Sequence, residues 1–300
     1  MLRVTLDIFS GRPNPSWVIG GGLAASILRE IALHRSIISD LSKHTTRLGY
    51  RRVSLELLEG EAPQGYNLPP LFSIADGRSG HEAKGVEIAQ KLIDMAPIED
   101  PSVGAVRGRA DTATVADARA FFARQVASAL RPPVMTRSQA DKRPPETMLP
   151  TVSAYETAPF AAEFWNDPLH VSRNNSYAYA ANRRTDTFPQ LGRASGREAA
   201  SFTFEDVVEA AHSDGLVGAA AEVDAIEAPR HLVALFVWPG RDYHWYRLHA
   251  DGSWGHKPGP IPARTVDNTG TRILDPRICS RAEYSDFCGF FLIPNSAKIR

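Results

Sequence analysis

Apolar and polar residues alternate along residues 4–9 and again along residues 50–58, which predicts two β-strands near the start of the chain. Between them, apolar residues recur at helical spacing over residues 23–41, which predicts an amphipathic helix. Two further helices are predicted over residues 81–95 and 114–130. The first part of the chain therefore has the pattern of an α/β domain built on a strand–loop–helix–strand unit.

The second part of the chain shows a different order of elements. A helix is predicted over residues 203–214, because carboxylates occupy its first turn and a glycine follows its end. Residues 232–238 form a continuous β-prone run, Pro239-Gly240 a turn, and residues 242–249 the returning strand. A third strand is predicted to start at residues 254–256. The pattern is that of a helix followed by an antiparallel meander.

A stretch rich in proline and basic residues separates these two patterns. Residues 131–150 contain two Pro-Pro pairs and almost no large apolar side chain, which is typical of a linker. We therefore expect an α+β protein. Its parts are an N-terminal α/β recognition domain (residues 1–131), a linker (residues 132–150) and a C-terminal domain of helix and antiparallel sheet (residues 151–300).

Composition narrows the function classes. The 300-residue chain carries 34 basic and 34 acidic residues, so it lacks the excess of Lys and Arg that nucleic-acid binding usually needs. No apolar run approaches the roughly 18 residues of a membrane span. The first nine residues hold too short an apolar core for a signal peptide, which predicts a cytoplasmic protein or one exported without a cleavable signal. No motif indicates a cofactor, and the oligomeric state is left open.

The two cysteines do not form a metal-binding pattern. Cys279 and Cys288 lie nine residues apart, which matches neither a Cys-x-x-Cys metal motif nor a disulfide framework. We therefore expect no metal site. Cys288 is a conceivable nucleophile, but its apolar neighbours predict a buried and inert thiol.

One pair of segments carries candidate chemistry. Asn174-Asn175-Ser176-Tyr177 has the pattern of a helix start, where unsatisfied backbone N–H groups favour negative charge. Sixty-odd residues later, His244 lies on a predicted strand, and His256 follows across a turn. A hydroxyl and a histidine on separate elements are the parts of a nucleophile-and-base site. Separately, the irregular loop of residues 9–17 is either a recognition surface or a rigid loop pinned by Trp17.

These segments resemble those of papain-like cysteine peptidases and amidases of the NlpC kind, in the C-terminal half of the chain only. In that family an Asn-Cys-Tyr-type helix start carries the thiol, and histidines follow on strands. The resemblance implies that Ser176 occupies the nucleophile position, that His244 is the base and that His256 orients it. Asp267 competes with His256 for the orienting role.

Four more residues are expected to bind the substrate. Asn175 either caps the helix and donates to an oxyanion, or acts as a cap alone. Arg183 could hold a carboxylate of a peptide substrate, or simply end a solvated helix. Tyr177 and Trp245 complete the expected substrate-binding set.

Serine at the thiol position leaves several explanations open. Ser176 could be a deliberate replacement of cysteine, the mark of a lineage that lost catalysis, or the nucleophile of a working serine variant. The leading expectation is a hydrolase, a papain-like peptidase, amidase or acyl transferase acting on a peptide amide or isopeptide. The alternative is a non-catalytic peptide-binding or effector module on the same fold. Restoring cysteine would discriminate these, because only a peptidase-derived site would gain turnover or labelling.

Overall fold

A computed structural model describes the chain in several stretches. These are residues 1–41, 47–58, 65–76, 82–96, 119–120, 123–124, 126, 155–219 and 228–300. The chain forms two compact units. Unit 1 comprises Met1–Ile8, Asn14–Thr45 and Tyr50–Val134, and unit 2 comprises Phe9–Pro13, Thr46–Gly49 and Met135–Arg300. The expected α+β class is confirmed, since both units combine helices with antiparallel sheet. The proposed linker, residues 132–150, lies outside the described residues.

In the residues that the structure describes, unit 1 combines a four-stranded antiparallel sheet with α-helices. Its elements are β1 (Leu2–Asp7), β2 (Ser16–Ile19), α1 (Gly21–Leu33), β3 (Arg52–Leu57), β4 (Leu71–Ile74) and α2 (Glu82–Asp94), with a short 3-10 helix at Arg35–Ile37. The strand order is β2-β1-β3-β4. Alternation places Leu2, Val4 and Leu6 in the core, and α1 buries Ile27 and Ile31 at helical spacing.

Three predictions for unit 1 need comment. The helix predicted over residues 23–41 ends earlier, at Leu33, and its last part is the 3-10 turn. The loop predicted over residues 9–17 ends in strand β2, because Trp17 pairs with Val4 of β1. The helix predicted over residues 114–130 falls largely outside the described residues.

Within its described residues, unit 2 combines a five-stranded antiparallel sheet with short α-helices. Its elements are α3 (Ala162–Trp165), α4 (Ser176–Ala180), α5 (Phe204–Ser213), β5 (Val217–Gly218), β6 (His231–Trp238), β7 (Asp242–Leu248), β8 (Trp254–His256) and β9 (Asp286–Ile293), with 3-10 turns at Val171–Arg173 and Arg193–Ser195. The strand order is β5-β9-β6-β7-β8. The predicted β6–β7 hairpin is confirmed, and Gly240 takes the left-handed conformation that its turn requires.

The two faces of β7 have different surroundings. Tyr243 and Trp245 pack in the main core with Tyr177 of α4, and the rings of Tyr177 and Trp245 stack with centroids 5.9 Å apart. His244 points to the other face, where its ring meets Tyr246 and Tyr284. Helix α4 therefore packs on the face of β7 that His244 does not occupy. Among the residues that the structure describes, no helix is long and apolar enough to span a membrane.

Candidate functional site

Helix α4 begins at a capped and buried turn. The side-chain oxygen of Asn175 accepts hydrogen bonds from the backbone N–H groups of Tyr177 and Ala178, both at 3.1 Å. Its amide nitrogen donates to the carbonyl oxygens of Gly11 and Pro189, both at 2.6 Å. Every polar atom of this side chain is thus engaged within the protein, and its geometry is that of a helix cap.

Ser176 follows this cap and is fully buried. Its Oγ has no hydrogen-bond partner within the described part of the chain. The next residue, Tyr177, donates its hydroxyl to Asp214 at 2.8 Å. Burial, followed by the nearby Asp214 carboxylate, raises the pKa of Tyr177 well above its usual value. The phenol is therefore a neutral structural donor.

His244 and His256 belong to a buried chain of hydrogen bonds, here called the histidine chain and formed by Ser10, His244, His256 and Arg264. The Nδ1 atom of His244 lies 2.5 Å from Ser10 Oγ, and its Nε2 atom lies 2.8 Å from Nδ1 of His256. The Nε2 atom of His256 accepts from Arg264 Nε at 3.1 Å or donates to the Val266 carbonyl at 3.1 Å. Both rings are fully buried.

The surroundings of His256 favour a neutral ring. Burial, followed by the nearby Arg264 and His244, lowers the pKa of His256 well below its usual value. An imidazole that stays neutral can both accept and donate one hydrogen bond, which is what this chain of contacts requires.

The structure brings together two of the three predicted catalytic residues. His244 and His256 are hydrogen-bonded to each other, whereas no hydrogen bond joins Ser176 Oγ to His244. The cause is the pleat of β7. Trp245 packs against Tyr177 of α4, so the neighbouring His244 is directed to the opposite face.

The residues flanking the histidine chain were not foreseen as partners. Asp242 accepts hydrogen bonds from the consecutive backbone N–H groups of Ser10, Gly11 and Arg12, at 2.6, 3.2 and 3.0 Å, and from the Tyr284 hydroxyl at 2.6 Å. Burial raises the pKa of the Asp242 carboxyl, although these hydrogen bonds act in the opposite direction. The start of the loop at residues 9–17 is thus held by a carboxylate. The sequence contains one indication that Asp242 lies beside His244, because the two residues share one face of the predicted strand.

The remaining expected site residues lie elsewhere. Asp267 accepts from the backbone N–H groups of Thr269, Thr271 and Ser280 and bonds neither histidine, so its role is to order its own loop. Arg183 is half-buried and donates to a backbone carbonyl at 3.4 Å, and burial lowers its pKa.

Trp245 is fully buried, and its indole Nε1 has no partner in the described ranges. Both cysteines are free thiols. Burial raises the pKa of Cys279 to about 11 and that of Cys288 to about 12, so neither forms a thiolate at neutral pH. Within the described residues, no group of three or more His, Cys, Asp or Glu side chains is arranged to hold a metal ion.

Fold and site together define an α+β protein whose unit 2 is organised around buried polar contacts. No protein-family model and no solved structure matches the chain. One curated protein, the insoluble matrix shell protein 1 of Ruditapes philippinarum, is 45% identical over 141 residues, which cover 47% of this chain and 93% of that protein. The chain therefore belongs to the family of that insoluble matrix shell protein.

This relative corrects one expectation. The sequence pattern led to a hydrolase of the amidase or cysteine-peptidase kind, but the related protein is named for a shell matrix and not for a hydrolytic activity. The hydrolase assignment is therefore wrong.

Proposed function

We propose that unit 2 is a non-catalytic module that binds a segment of a partner protein. The observation that carries this proposal is the separation of the expected nucleophile from its base. Ser176 Oγ has no hydrogen-bond partner in the described chain, while both ring nitrogens of His244 are engaged by Ser10 and His256. A serine hydroxyl without an aligned base is a poor nucleophile, so this arrangement supports binding and not turnover.

Burial supports the same proposal. Ser176, His244 and His256 are all fully buried, whereas a reacting group must touch its substrate. The low pKa of His256 and the hydrogen bonds of Asn175 suit a rigid internal frame. This frame fixes the start of α4 and the strands beside it. We propose that its role is to hold the binding surface in place.

The candidate binding surface is the segment around α3. Phe164 is 44% exposed and Leu169 is 75% exposed, and we assign these two apolar side chains to the interaction surface. Arg184 lies across the Phe164 ring, with its Cζ 4.2 Å from the ring centroid, and donates to the Phe164 carbonyl at 2.9 Å. Apolar side chains beside a guanidinium suit an extended partner segment with both apolar and hydrogen-bonding groups.

Polar contacts hold this surface against the start of α4. His170 Nδ1 lies 2.7 Å from the Asp186 carboxylate, and Asn174 Nδ2 donates to the same carboxylate at 2.7 Å and to the His170 carbonyl at 2.9 Å. Asn174 Oδ1 accepts from the backbone of Thr185 and Asp186. The segment that presents Leu169 is therefore ordered before a partner binds, which limits the entropic cost of binding.

The relative's name supports the class of partner. The relative is named for an insoluble shell matrix, and on this likeness we assign the chain a protein partner and an extracellular place of action. The sequence left open a cytoplasmic protein or one exported without a cleavable signal, and this proposal takes the second alternative.

The first experiment tests whether the site has catalytic chemistry. In Ser176→Cys, the new thiol should react with iodoacetamide slowly near neutral pH, because position 176 is fully buried and burial raises a thiol pKa above its usual value of about 8.5. The matched variant Ser176→Cys/His244→Ala should behave alike. Fast alkylation near pH 6 that disappears with His244→Ala would demonstrate a thiolate–imidazole pair and would overturn the proposal.

The second experiment tests binding directly. Peptides selected from a displayed random library against the wild-type chain should lose affinity for Phe164→Ser/Leu169→Ser. The control is Leu274→Ser/Ile278→Ser, which removes two other exposed apolar side chains of unit 2, 67% and 48% exposed. Equal binding to both variants, or selection of no peptide, would contradict the assignment of the surface.

A further inference from the structure

Arg247 is a buried cation with no acidic partner among the residues that the structure describes. Its side chain is fully buried on β7, on the face that packs against α4. Its Nη1 atom donates to the Tyr179 carbonyl at 2.9 Å, whereas Nε and Nη2 have no hydrogen-bond partner within the described residues. A buried guanidinium is normally paired with a carboxylate or other anion, because removal of a charge from water is unfavourable unless the charge is compensated.

Aromatic rings surround the guanidinium. Its Cζ atom lies 4.5 Å from the centroid of the Tyr179 ring and 5.8 Å from that of Trp165. The Tyr179 hydroxyl lies 2.7 Å from Nε2 of His249. We call Trp165, Tyr179, Arg247 and His249 the Arg247 cluster.

Two further polar atoms of the Arg247 cluster lack partners in the described chain. These are the indole Nε1 of Trp165 and Nδ1 of His249. A buried polar atom without a hydrogen-bond partner is destabilising, so several such atoms in one cluster indicate a ligand that the described residues do not supply.

The two described titratable neighbours in the cluster, Tyr179 and His249, do not provide a negative charge for Arg247. Burial raises the pKa of Tyr179, so its phenol is neutral. Burial, followed by the nearby Arg247, lowers the pKa of His249 to about 4, so this imidazole is neutral at physiological pH. Burial also lowers the pKa of Arg247, whereas an anion beside the guanidinium would raise it.

The two unpartnered atoms of Arg247 have a specific geometry. In a planar guanidinium, Nε–H and one N–H of Nη2 lie on the same edge and point in parallel, which matches the two oxygens of a carboxylate. We propose that the Arg247 cluster is a binding site for a small carboxylate, held bidentately by Nε and Nη2 of Arg247. The indole N–H of Trp165 is an additional donor. The aromatic rings exclude water and strengthen the ion pair.

A short segment of chain lies against the cluster where a ligand would enter. The ring of Phe160 packs 5.5 Å from that of His249, and the Ala158 carbonyl accepts from the backbone of Ala250 at 3.2 Å. A ligand that enters from this side has to displace residues 158–160 and their contacts with His249 and Ala250. The site does not depend on the proposed partner surface, so either proposal can fail alone.

The test is a titration of the full chain with sodium formate, with sodium chloride at the same ionic strength as control. In the wild-type protein, formate should shift the ¹⁵N-detected Nε–H signal of Arg247 saturably and raise the melting temperature, and chloride should do neither. Arg247→Lys keeps the charge and loses the planar edge, so the formate effect should be lost. Arg272→Lys, an exposed arginine of the same unit, should respond as wild type does.

The wild-type titration decides the proposal even if Arg247→Lys fails to fold. A shift that does not saturate, or one that chloride reproduces, would overturn the carboxylate site. An undiminished formate effect in folded Arg247→Lys would do the same.

Discussion

The Nε2 atom of His244 lies 2.8 Å from the Nδ1 atom of His256, inside the protein and away from solvent. Arg264 can only donate, and its Nε points at His256 Nε2 from 3.1 Å. If that contact holds, His256 carries its proton on Nδ1 and donates to His244, which in turn carries its proton on Nδ1 and donates to Ser10. If His256 Nε2–H donates to the Val266 carbonyl instead, the Arg264 contact is lost and the hydrogen bonds among His256, His244 and Ser10 reverse.

Replacing Arg264 should reverse the direction of the hydrogen bonds in the histidine chain. A charged donor makes a stronger hydrogen bond than a neutral one, so we expect both rings of the wild-type protein to be protonated at Nδ1. In Arg264→Met, the Val266 carbonyl is the neighbour that remains at His256 Nε2, and both rings should become Nε2-protonated. Ring ¹⁵N chemical shifts distinguish the two tautomers.

A matched control distinguishes the effect of the Arg264 Nε donor on the tautomers from a general effect on packing. Asn268→Ala removes the contact of Arg264 Nη2 with Asn268 Oδ1 at 3.2 Å but leaves Nε in place, so its tautomers should be those of the wild type. Identical ring shifts in Arg264→Met and the wild type would show that Arg264 does not set the direction of the chain.

Local patterns were sufficient to predict the meander of unit 2. The β6–β7 hairpin and the adjacent positions of His244 and His256 follow from alternation and two short turns, because such turns join neighbouring antiparallel strands. Capping by Asn175 also follows from local chemistry.

Long-range packing explains what could not be predicted. Ser10 is separated from His244 by 234 residues, and no local pattern encodes their contact. The face of β7 that meets α4 is decided by the stacking of Tyr177 on Trp245, which determines that Ser176 and His244 do not bond. Strand β9 lies between β5 and β6, although it is last in the sequence.

Buried neutral histidines should make the protein less stable in mild acid. The usual pKa of histidine is about 6.5, whereas that of folded His249 is about 4 and that of folded His256 is also lowered. Below pH 6.5 the unfolded chain therefore binds protons that the folded chain does not. Each such histidine should lower the free energy of unfolding by up to about 1.4 kcal/mol per pH unit between 6.5 and its folded pKa.

Urea unfolding at a series of pH values between 7.5 and 5 measures this dependence. His249→Gln should show a shallower decrease than the wild type, because one of the titrating groups is gone. A decrease of the same slope in both proteins would show that His249 does not contribute.

Lys257 should be essential to the stability of unit 2. Its ammonium group donates to the carbonyl oxygens of Val171, Asn174 and Gly259, at 2.5, 2.5 and 2.6 Å, and a fourth carbonyl lies at 3.2 Å. Lys257→Met keeps most of the side-chain volume and leaves these carbonyls without their donor. We expect a loss of about 3 kcal/mol or more in the free energy of unfolding, since each buried group left without a partner costs about 1–3 kcal/mol.

Chemical denaturation of Lys257→Met and Lys298→Met provides the comparison. Lys298 is exposed, so its replacement should change stability by less than about 0.5 kcal/mol. Equal stability of the two variants would mean that the carbonyl oxygens around Lys257 find other donors at no cost.

Asp242 should be required for the order of residues 10–12 as well as for stability. Its carboxylate accepts from three consecutive backbone N–H groups and from the Tyr284 hydroxyl. In Asp242→Asn, one oxygen becomes an NH₂ group that must face these donors, so we expect a loss of about 2–4 kcal/mol in the free energy of unfolding. Tyr284→Phe removes one of the four donors and leaves the backbone contacts intact, so it should cost only about 1 kcal/mol.

Hydrogen exchange of the amides of Ser10, Gly11 and Arg12 separates these two effects. The amides should exchange faster in Asp242→Asn, because their acceptor is lost. In Tyr284→Phe they should exchange as in the wild type, once the change in global stability is taken into account. Equal protection in both variants would show that the loop is held by its packing, with Arg12 over the rings of Phe9 and Phe202, and not by the carboxylate. Because Ser10 also contacts His244, faster exchange at Ser10 should be accompanied by altered ring shifts of His244.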